Sequence, residues 1–208
     1  MQENEKNTEK TGAGTSLTPK KSFKDRVKRR FTAKRIALMG VFVALSYVVS
    51  FLEIPMPILG ASFLKLDFGS VFILLISFLL GTVEGVIVCL LKEGLRCLTS
   101  ETEYAGEIAN FLVTSAYLLL PSLTYQYRKN LKTVIITLSI SCLLATAVAL
   151  FANRFIIFPV FFKSGSGKMF AEFWAAILIF NLIKTVAVAI LTILLYKRLS
   201  NFLKKWKI

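Results

Sequence analysis

Long apolar runs fill most of the chain between residues 34 and 196 and leave little room for a water-soluble fold. Hydrophobic residues make up 55% of the 208 positions, and phenylalanine alone occupies 18 of them. A helix that crosses the hydrocarbon core of a bilayer needs about 20 mostly apolar residues. The sequence therefore predicts an all-α integral membrane protein, with clear transmembrane helices at residues 34–52, 82–98, 108–127, 132–158 and 170–196 and a short sixth candidate at residues 66–81.

The basic residues gather at the ends of these segments. The chain has 26 Lys and Arg against 12 Asp and Glu, a net charge of +14. Eleven of the basic residues lie in residues 1–35, three in 128–132 and five in 197–208. Lys and Arg concentrate in cytoplasmic loops of membrane proteins. We therefore expect both termini and residues 128–132 on the cytoplasmic side of the lipid membrane. This arrangement requires segment 66–81 to be counted, so the prediction is six transmembrane helices. We do not expect nucleic acid as a partner.

Three regions follow from this division. Residues 1–33 are polar and of low complexity, which predicts a disordered, basic cytoplasmic tail. Residues 34–199 form the predicted six-helix membrane domain, and residues 200–208 form a basic cytoplasmic end.

The chain has no histidine, which removes imidazole ligands and histidine-based acid–base chemistry. The three cysteines lie in apolar segments and are predicted to be free buried thiols rather than metal ligands or disulfide partners.

Asn181 and Lys184 stand one helical turn apart inside the apolar run 173–196. Polar and charged side chains are costly in lipid, so both should face the protein interior or a cavity. The spacing of three residues puts them on one helix face. The alternative is an asparagine that bonds a neighbouring helix beside a snorkelling lysine. Lys184 lies too far from the end of the segment to snorkel easily, which favours contact with a ligand.

Other polar residues allow two interpretations each. Asn153 is either a helix-end residue or part of the same cavity. Glu107 begins the fourth segment, where a carboxylate complements the helix dipole or accepts hydrogen bonds from a ligand. Lys92 and Arg96 are expected to snorkel or to form an ion pair, and Glu84 is expected to cap a helix or face water.

Two further patterns concern the first segment and the last connection. Ala33, Ala37, Gly40 and Ala44 place small residues at nearly regular spacing in the first segment. Such a stripe allows the close approach of another helix.

Connection 159–169 contains Ser-Gly-Ser-Gly-Lys, which resembles half of a phosphate-binding loop. Because a first glycine and a Ser/Thr are missing from that motif, we predict a flexible loop there and no ATPase in the chain.

Four stretches, in this order, resemble the substrate-binding S components of energy-coupling-factor (ECF) vitamin importers, and among these the riboflavin-specific type. They are FLKLDF at 63–68, GE-x-ANF at 106–111, N-x-FIIFP at 153–159 and FN-x-x-K at 180–184. The resemblance covers about residues 33–200.

The resemblance implies a six-helix S-component fold with a deep pocket open to the outside of a bacterial plasma membrane. It implies that Glu107, Asn153, Asn181 and Lys184 contact riboflavin, which is a transported ligand and not a cofactor. It also implies that the small residues of the first segment dock on a transmembrane coupling subunit, which two cytoplasmic ATPase subunits drive.

Three alternatives stay open on the sequence alone. The pocket of an S component could bind another vitamin, or a phosphorylated flavin such as FMN if Lys184 stays charged. A small polytopic membrane enzyme is disfavoured, because no nucleophile–base arrangement is recognisable. An accessory membrane protein without a ligand would use Asn181 and Lys184 to join helices.

Overall fold

The computed structural model of the chain describes residues 32–61, 63–99, 104–127 and 130–205. The predicted disordered tail and the last three residues of the basic C-terminal end therefore lie outside the described residues, apart from residues 32 and 33. The described residues from Ala33 onwards form one compact unit. All secondary structure given below belongs to that unit.

Helices dominate the described residues, and the predicted segments are confirmed as helical with boundaries shifted by a few residues. Two-residue strands form a small antiparallel hairpin in the connection between the first two helices. In chain order the elements are α1 (Ala33–Val49), β1 (Ile54–Pro55), β2 (Lys65–Leu66), α2 (Gly69–Leu79), α3 (Thr82–Cys97), α4 (Ala105–Tyr127), α5 (Leu131–Ala152), a π-helix (Asn153–Ile157), α6 (Phe158–Phe162), a 3₁₀ turn (Lys163–Gly165) and α7 (Ser166–Lys205).

Helix α2 lies at the centre of the bundle. Apart from Ser70 and Ser77 its side chains are apolar on all sides, which is the pattern of a helix enclosed by others. Nine of its residues are buried, and it packs against α1, α3, α4 and α7. Ile73, Leu74 and Ile76 are fully buried there and pack with Leu118 of α4 and Val188 of α7. Although α2 is short, the buried core of the bundle therefore packs around it.

The outer surface of the bundle is also apolar. Large hydrophobic side chains are exposed on α1, α5 and α7, among them Val48, Leu143 and Leu194. An exposed apolar surface of this extent is unfavourable in water and suits contact with lipid. By length and composition, two helical stretches qualify as membrane spans among the described residues, Ala105–Tyr127 and Lys132–Tyr196. The second contains a reversal of direction, because α5 packs back against α7.

That reversal corrects the prediction of a flexible loop at residues 159–169. The chain turns through α6 and the 3₁₀ turn, and α7 already begins at Ser166. Phe158 is buried at the start of α6 and contacts the rings of Phe63, Phe162 and Phe170. This aromatic packing holds the connection in helical turns. The glycines and serines had indicated a loop, whereas the phenylalanines on either side decide the structure.

Gly69 marks the closest approach of α1 to α2. A Cβ atom at Gly69 would lie 2.6 Å from the backbone oxygen of Ser46, and the Ser46 hydroxyl donates to the Gly69 carbonyl oxygen at 2.8 Å. Backbone atoms cannot move aside as a flexible side chain can. Gly69 is therefore required by the contact between the two helices.

The substitution Gly69→Ala should destabilise the protein, because overpacking of this kind costs about 1–3 kcal/mol. We expect its thermal midpoint in detergent to fall by at least about 2 °C. Gly94→Ala is the matched control, since an added Cβ there meets nothing within 4 Å. Equal midpoints for the two variants would contradict the close contact at Gly69.

Candidate functional site

A cavity of about 620 Å³ lies between the hairpin connection and the ends of several helices. All four residues predicted from the sequence to form the site line it, namely Glu107, Asn153, Asn181 and Lys184. They come from α4, the π-helix and α7. Ligand pockets for small molecules usually measure about 300–1,000 Å³. The structure thus brings together residues that are up to 77 positions apart in the chain (184 − 107).

Asn181 and Asn153 are anchored in the same way. The Nδ2 atom of Asn181 donates to the Ile177 carbonyl oxygen at 2.8 Å, and that of Asn153 donates to the Ala149 carbonyl oxygen at 2.8 Å. Each bond returns to the preceding helical turn and fixes the orientation of the amide. An amide group has a second N–H and an acceptor oxygen. Both asparagines therefore keep hydrogen-bonding capacity for a ligand.

Asn153 begins the π-helix that follows α5. A π-helix inserts an extra residue into the helical turn, and such turns are frequent at functional sites. Here it lies between Ala152 and Phe158, and both Asn153 and Phe158 line the cavity. The irregular turn brings a polar and an aromatic side chain from consecutive turns to the same wall. The sequence had placed Asn153 at the end of a regular helix and missed this turn.

Glu107 lies in the first turn of α4, as predicted, and is buried against the cavity. A carboxylate in this position is favoured by the helix dipole. When ionised it accepts hydrogen bonds only, so it complements the donors of the two asparagines and of Lys184.

Lys184 forms an ion pair that the sequence analysis did not anticipate. Its Nζ atom donates to Oδ2 of Asp67 at 2.8 Å, and the side chains are only 15% and 13% exposed. The other oxygen of Asp67 accepts from the backbone N–H of Gly69 at 3.1 Å. Asp67 is thus held at the start of α2 and holds Lys184 in turn. Both residues line the cavity.

The remaining cations of the cavity are also paired with carboxylates. Lys92 and Glu93 form a buried pair at 2.8 Å. At the mouth, Arg96 and Lys65 both bind Glu53, the lysine at 3.1 Å. The prediction of an ion pair for Lys92 and Arg96 is confirmed. The pair of Arg96 with Glu53 joins the connection after α1 to α3 on one side of the cavity.

Aromatic side chains form much of the remaining wall. The ring of Phe63 meets the rings of Phe158 and Phe173 edge to face, with centroids 6.2 and 5.7 Å apart. Edge-to-face packing of this kind adds to the stability of an aromatic cluster. The guanidinium group of Arg96 lies over the ring of Phe51, with 5.1 Å between the Arg96 Cζ atom and the ring centroid. Apolar walls with a few anchored polar groups suit a flat, partly polar ring system.

Sequence reasoning missed Asp67, Lys92, Arg96 and Glu53 as residues of the cavity. One signal was available. A buried lysine needs a counter-charge, and Asp67 is the acidic residue that directly precedes the apolar segment of α2. The pairing of Glu53 with Arg96 had no such signal, because it depends on how the hairpin connection folds over α3.

Comparison with known proteins settles the family. The model of the family "ECF transporter, substrate-specific component" matches residues 34–196. That match covers well over half of the chain and includes every residue that lines the cavity. The chain belongs to this family. It is a component of a membrane transporter family, and the resemblance inferred from the four motifs is confirmed.

Individual proteins similar to this S component support the same family. The riboflavin transporter RibU of Staphylococcus aureus (strain TCH60) is 33% identical over 177 residues, which cover 83% of this chain and 93% of that protein. A solved structure described as the S component of a bacterial ECF transporter matches with a TM-score of 0.70 and 34% identity. It covers 82% of this chain and 98% of the other. The fold of the described residues is therefore that of an ECF S component.

The S component also has an ion pair at the start of α1, between residues that do not line the cavity. Arg35 lies 3.6 Å from Glu84 in the first turn of α3, and the Glu84 side chain is fully buried. Of the two alternatives predicted for Glu84, facing water is therefore wrong, and its place in the first turn of α3 is compatible with a role at the helix end. Gly81, with a φ of +135°, makes the tight turn between α2 and α3 that brings Glu84 inward.

Proposed function

We propose that this chain is the riboflavin-binding subunit of an ATP-driven ECF importer, which captures the vitamin outside the cell for uptake. One observation carries the proposal most strongly. The four polar residues that the resemblance assigns to the flavin line a single cavity of about 620 Å³ with aromatic walls. The identity with a riboflavin transporter supports the same ligand.

The chemistry of the cavity suits riboflavin. The isoalloxazine ring is flat and neutral, with donors and acceptors along one edge, and the ribityl tail carries hydroxyl groups. Two asparagines offer both donors and acceptors, Lys184 offers donors and Glu107 offers acceptors. Phe63 and Phe158 offer apolar surface for the ring faces. The cavity thus has what a neutral, amphipathic ligand needs to be both bound and oriented.

We further propose a multi-pass topology with six spans and both termini in the cytoplasm. The basic residues at the two ends and at residues 128–132 support it. Helices α1 and α3 have 17 and 16 residues, so they are about 24–26 Å long at 1.5 Å per residue. They fall a little short of the usual span, and α2 is shorter still and enclosed. In this topology the cavity lies on the outer half of the membrane.

The small residues of α1 suit the docking of a partner. Ala33, Ala37, Gly40 and Ala44 are all exposed, and an added Cβ at Gly40 meets nothing within 4 Å. We propose that this stripe binds the transmembrane coupling subunit, which two cytoplasmic ATPases drive as separate chains. Close helix approach over small residues is the usual basis of such contacts in membranes.

The first experiment is a visible absorption spectrum of the detergent-purified chain, followed by titration with riboflavin. We expect a flavin spectrum with about one flavin per chain, or quenching of riboflavin fluorescence when the protein is purified empty. A colourless protein that fails to quench riboflavin would contradict the proposed ligand. A panel of other vitamins would then identify the substrate of this S component.

A further inference from the structure

We propose that Asp67 makes the cavity selective for an uncharged flavin, by holding Lys184 in a neutral pair that a phosphorylated flavin cannot use. This inference rests on the proposed function and specifies which form of the ligand the site accepts. It starts from the bond between Lys184 Nζ and Asp67 Oδ2, 2.8 Å long and largely shielded from water.

Asp67 is fixed independently of any ligand. Its second oxygen accepts from the backbone N–H of Gly69, and Gly69 is itself locked against Ser46 of α1. The carboxylate is therefore held by the backbone at the start of the central helix. It fixes the position of the Lys184 ammonium group and balances its charge, so Asp67 is a positioning residue for Lys184.

The other cations of the cavity are in ion pairs too. Among the described residues, four Lys and Arg side chains line the cavity. Each of them lies within 4 Å of a carboxylate: Lys184 of Asp67, Lys92 of Glu93, and Arg96 and Lys65 of Glu53. Lys184 and Lys92 each have a carboxylate to themselves, whereas Arg96 and Lys65 share Glu53. Every cation that an incoming anion would meet in this lining is therefore already in an ion pair with a carboxylate of the protein.

FMN differs from riboflavin only by a phosphate ester on the ribityl tail, and such a group carries about −1.5 to −2 charges at pH 7. Bringing that charge out of water is costly unless a cation compensates it. The paired cations of the cavity would have to leave their carboxylates to do so. Discrimination of this kind comes from the penalty on the wrong ligand as much as from contacts with the right one.

The test compares dissociation constants for riboflavin and FMN, measured by fluorescence quenching on the purified full chain at one ionic strength. In Asp67→Asn the Lys184 charge is no longer balanced, and the amide holds the ammonium group less firmly. We expect riboflavin to bind more weakly and the ratio Kd(FMN)/Kd(riboflavin) to fall at least fivefold. In Asp67→Glu, which keeps the charge, the ratio should return towards that of the unmodified chain.

Glu172→Gln is the matched control. It removes one carboxylate from an exposed position on α7 that does not line the cavity, and the ratio should stay within twofold. A double variant, Asp67→Asn with Lys184→Met, removes both charges together and covers the case in which the single variant does not fold. Its ratio should be at least as high as that of the unmodified chain, because no unbalanced cation is left at this position.

Two results would overturn the inference, and they are distinguishable. If Asp67→Asn weakens both flavins equally, or if the double variant binds FMN relatively better, then Asp67 is only a structural partner of Lys184. In that case riboflavin binding by the unmodified chain still supports the proposed function. If the unmodified chain binds neither flavin, the proposed function fails and this inference fails with it.

Discussion

Replacing Lys184 or Asn181 by alanine should weaken riboflavin binding more than tenfold. Both residues are anchored by the protein, Lys184 by Asp67 and Asn181 by the Ile177 carbonyl oxygen, so each meets the ligand with little loss of freedom. Hydrogen bonds that involve a charged group contribute about 1.5–3 kcal/mol. Since each 1.4 kcal/mol is a factor of ten in Kd, the loss at Lys184 should be about 10- to 150-fold.

Fluorescence titration of the purified variants measures this effect. Lys168→Ala is the control for Lys184→Ala, because it removes the same side chain from an exposed position near the start of α7, outside the cavity lining. It should bind riboflavin like the unmodified chain. Normal affinity in both cavity variants would reject the site. Normal affinity together with a lowered thermal midpoint would mean that the pair serves to join helices.

The sequence was sufficient to predict the helices and the position of the polar residues in them. Apolar runs about 20 residues long have few folds available in lipid, so the approximate bounds of α1, α3, α4, α5 and α7 followed from hydropathy. Asn181 and Lys184 were identified because polar groups inside such a run are rare and need a reason. Both features depend on local composition, which one sequence shows directly.

Features that depend on contacts distant in the chain could not be predicted in the same way. The partner of Lys184 is Asp67, 117 positions away, and the choice between Asp67 and another carboxylate is made by the packing of α2 against α7. The connection at residues 159–169 was misjudged for the same reason. Its glycines and serines favour a loop, but Phe158 and Phe63 pack together and keep the chain in helical turns.

The short helices illustrate a third limit. Residues 66–81 were counted as a span mainly because the distribution of basic residues required an even number of crossings. The helix there, α2, has 11 residues and is about 16 Å long. A helix of that length reaches about half of the hydrocarbon core, and the hairpin connection before it contributes the wall of the cavity instead. The charge pattern thus supports an even number of crossings, whereas the length of the helix within each crossing depends on how the chain packs.

A bulky side chain in the small-residue stripe of α1 should abolish transport without affecting riboflavin binding. In Gly40→Trp the indole would project outwards, since nothing lies within 4 Å of a Cβ at this position, and the cavity would be unchanged. Helices that pack over small residues have backbones too close to admit a large side chain. We expect co-purification with coexpressed coupling and ATPase subunits, and uptake of labelled riboflavin, to fall at least tenfold.

Leu45→Trp separates this effect from a general effect of tryptophan on α1. Leu45 is 42% exposed and lies about 110° around the helix from the middle of the stripe, at 3.6 residues per turn. The isolated Gly40 and Leu45 variants should both bind riboflavin within twofold of the unmodified chain, and only the Gly40 variant should lose its partner. If Gly40→Trp assembles and transports normally, the coupling subunit docks on another face, and the stripe serves the insertion or packing of α1 in the lipid.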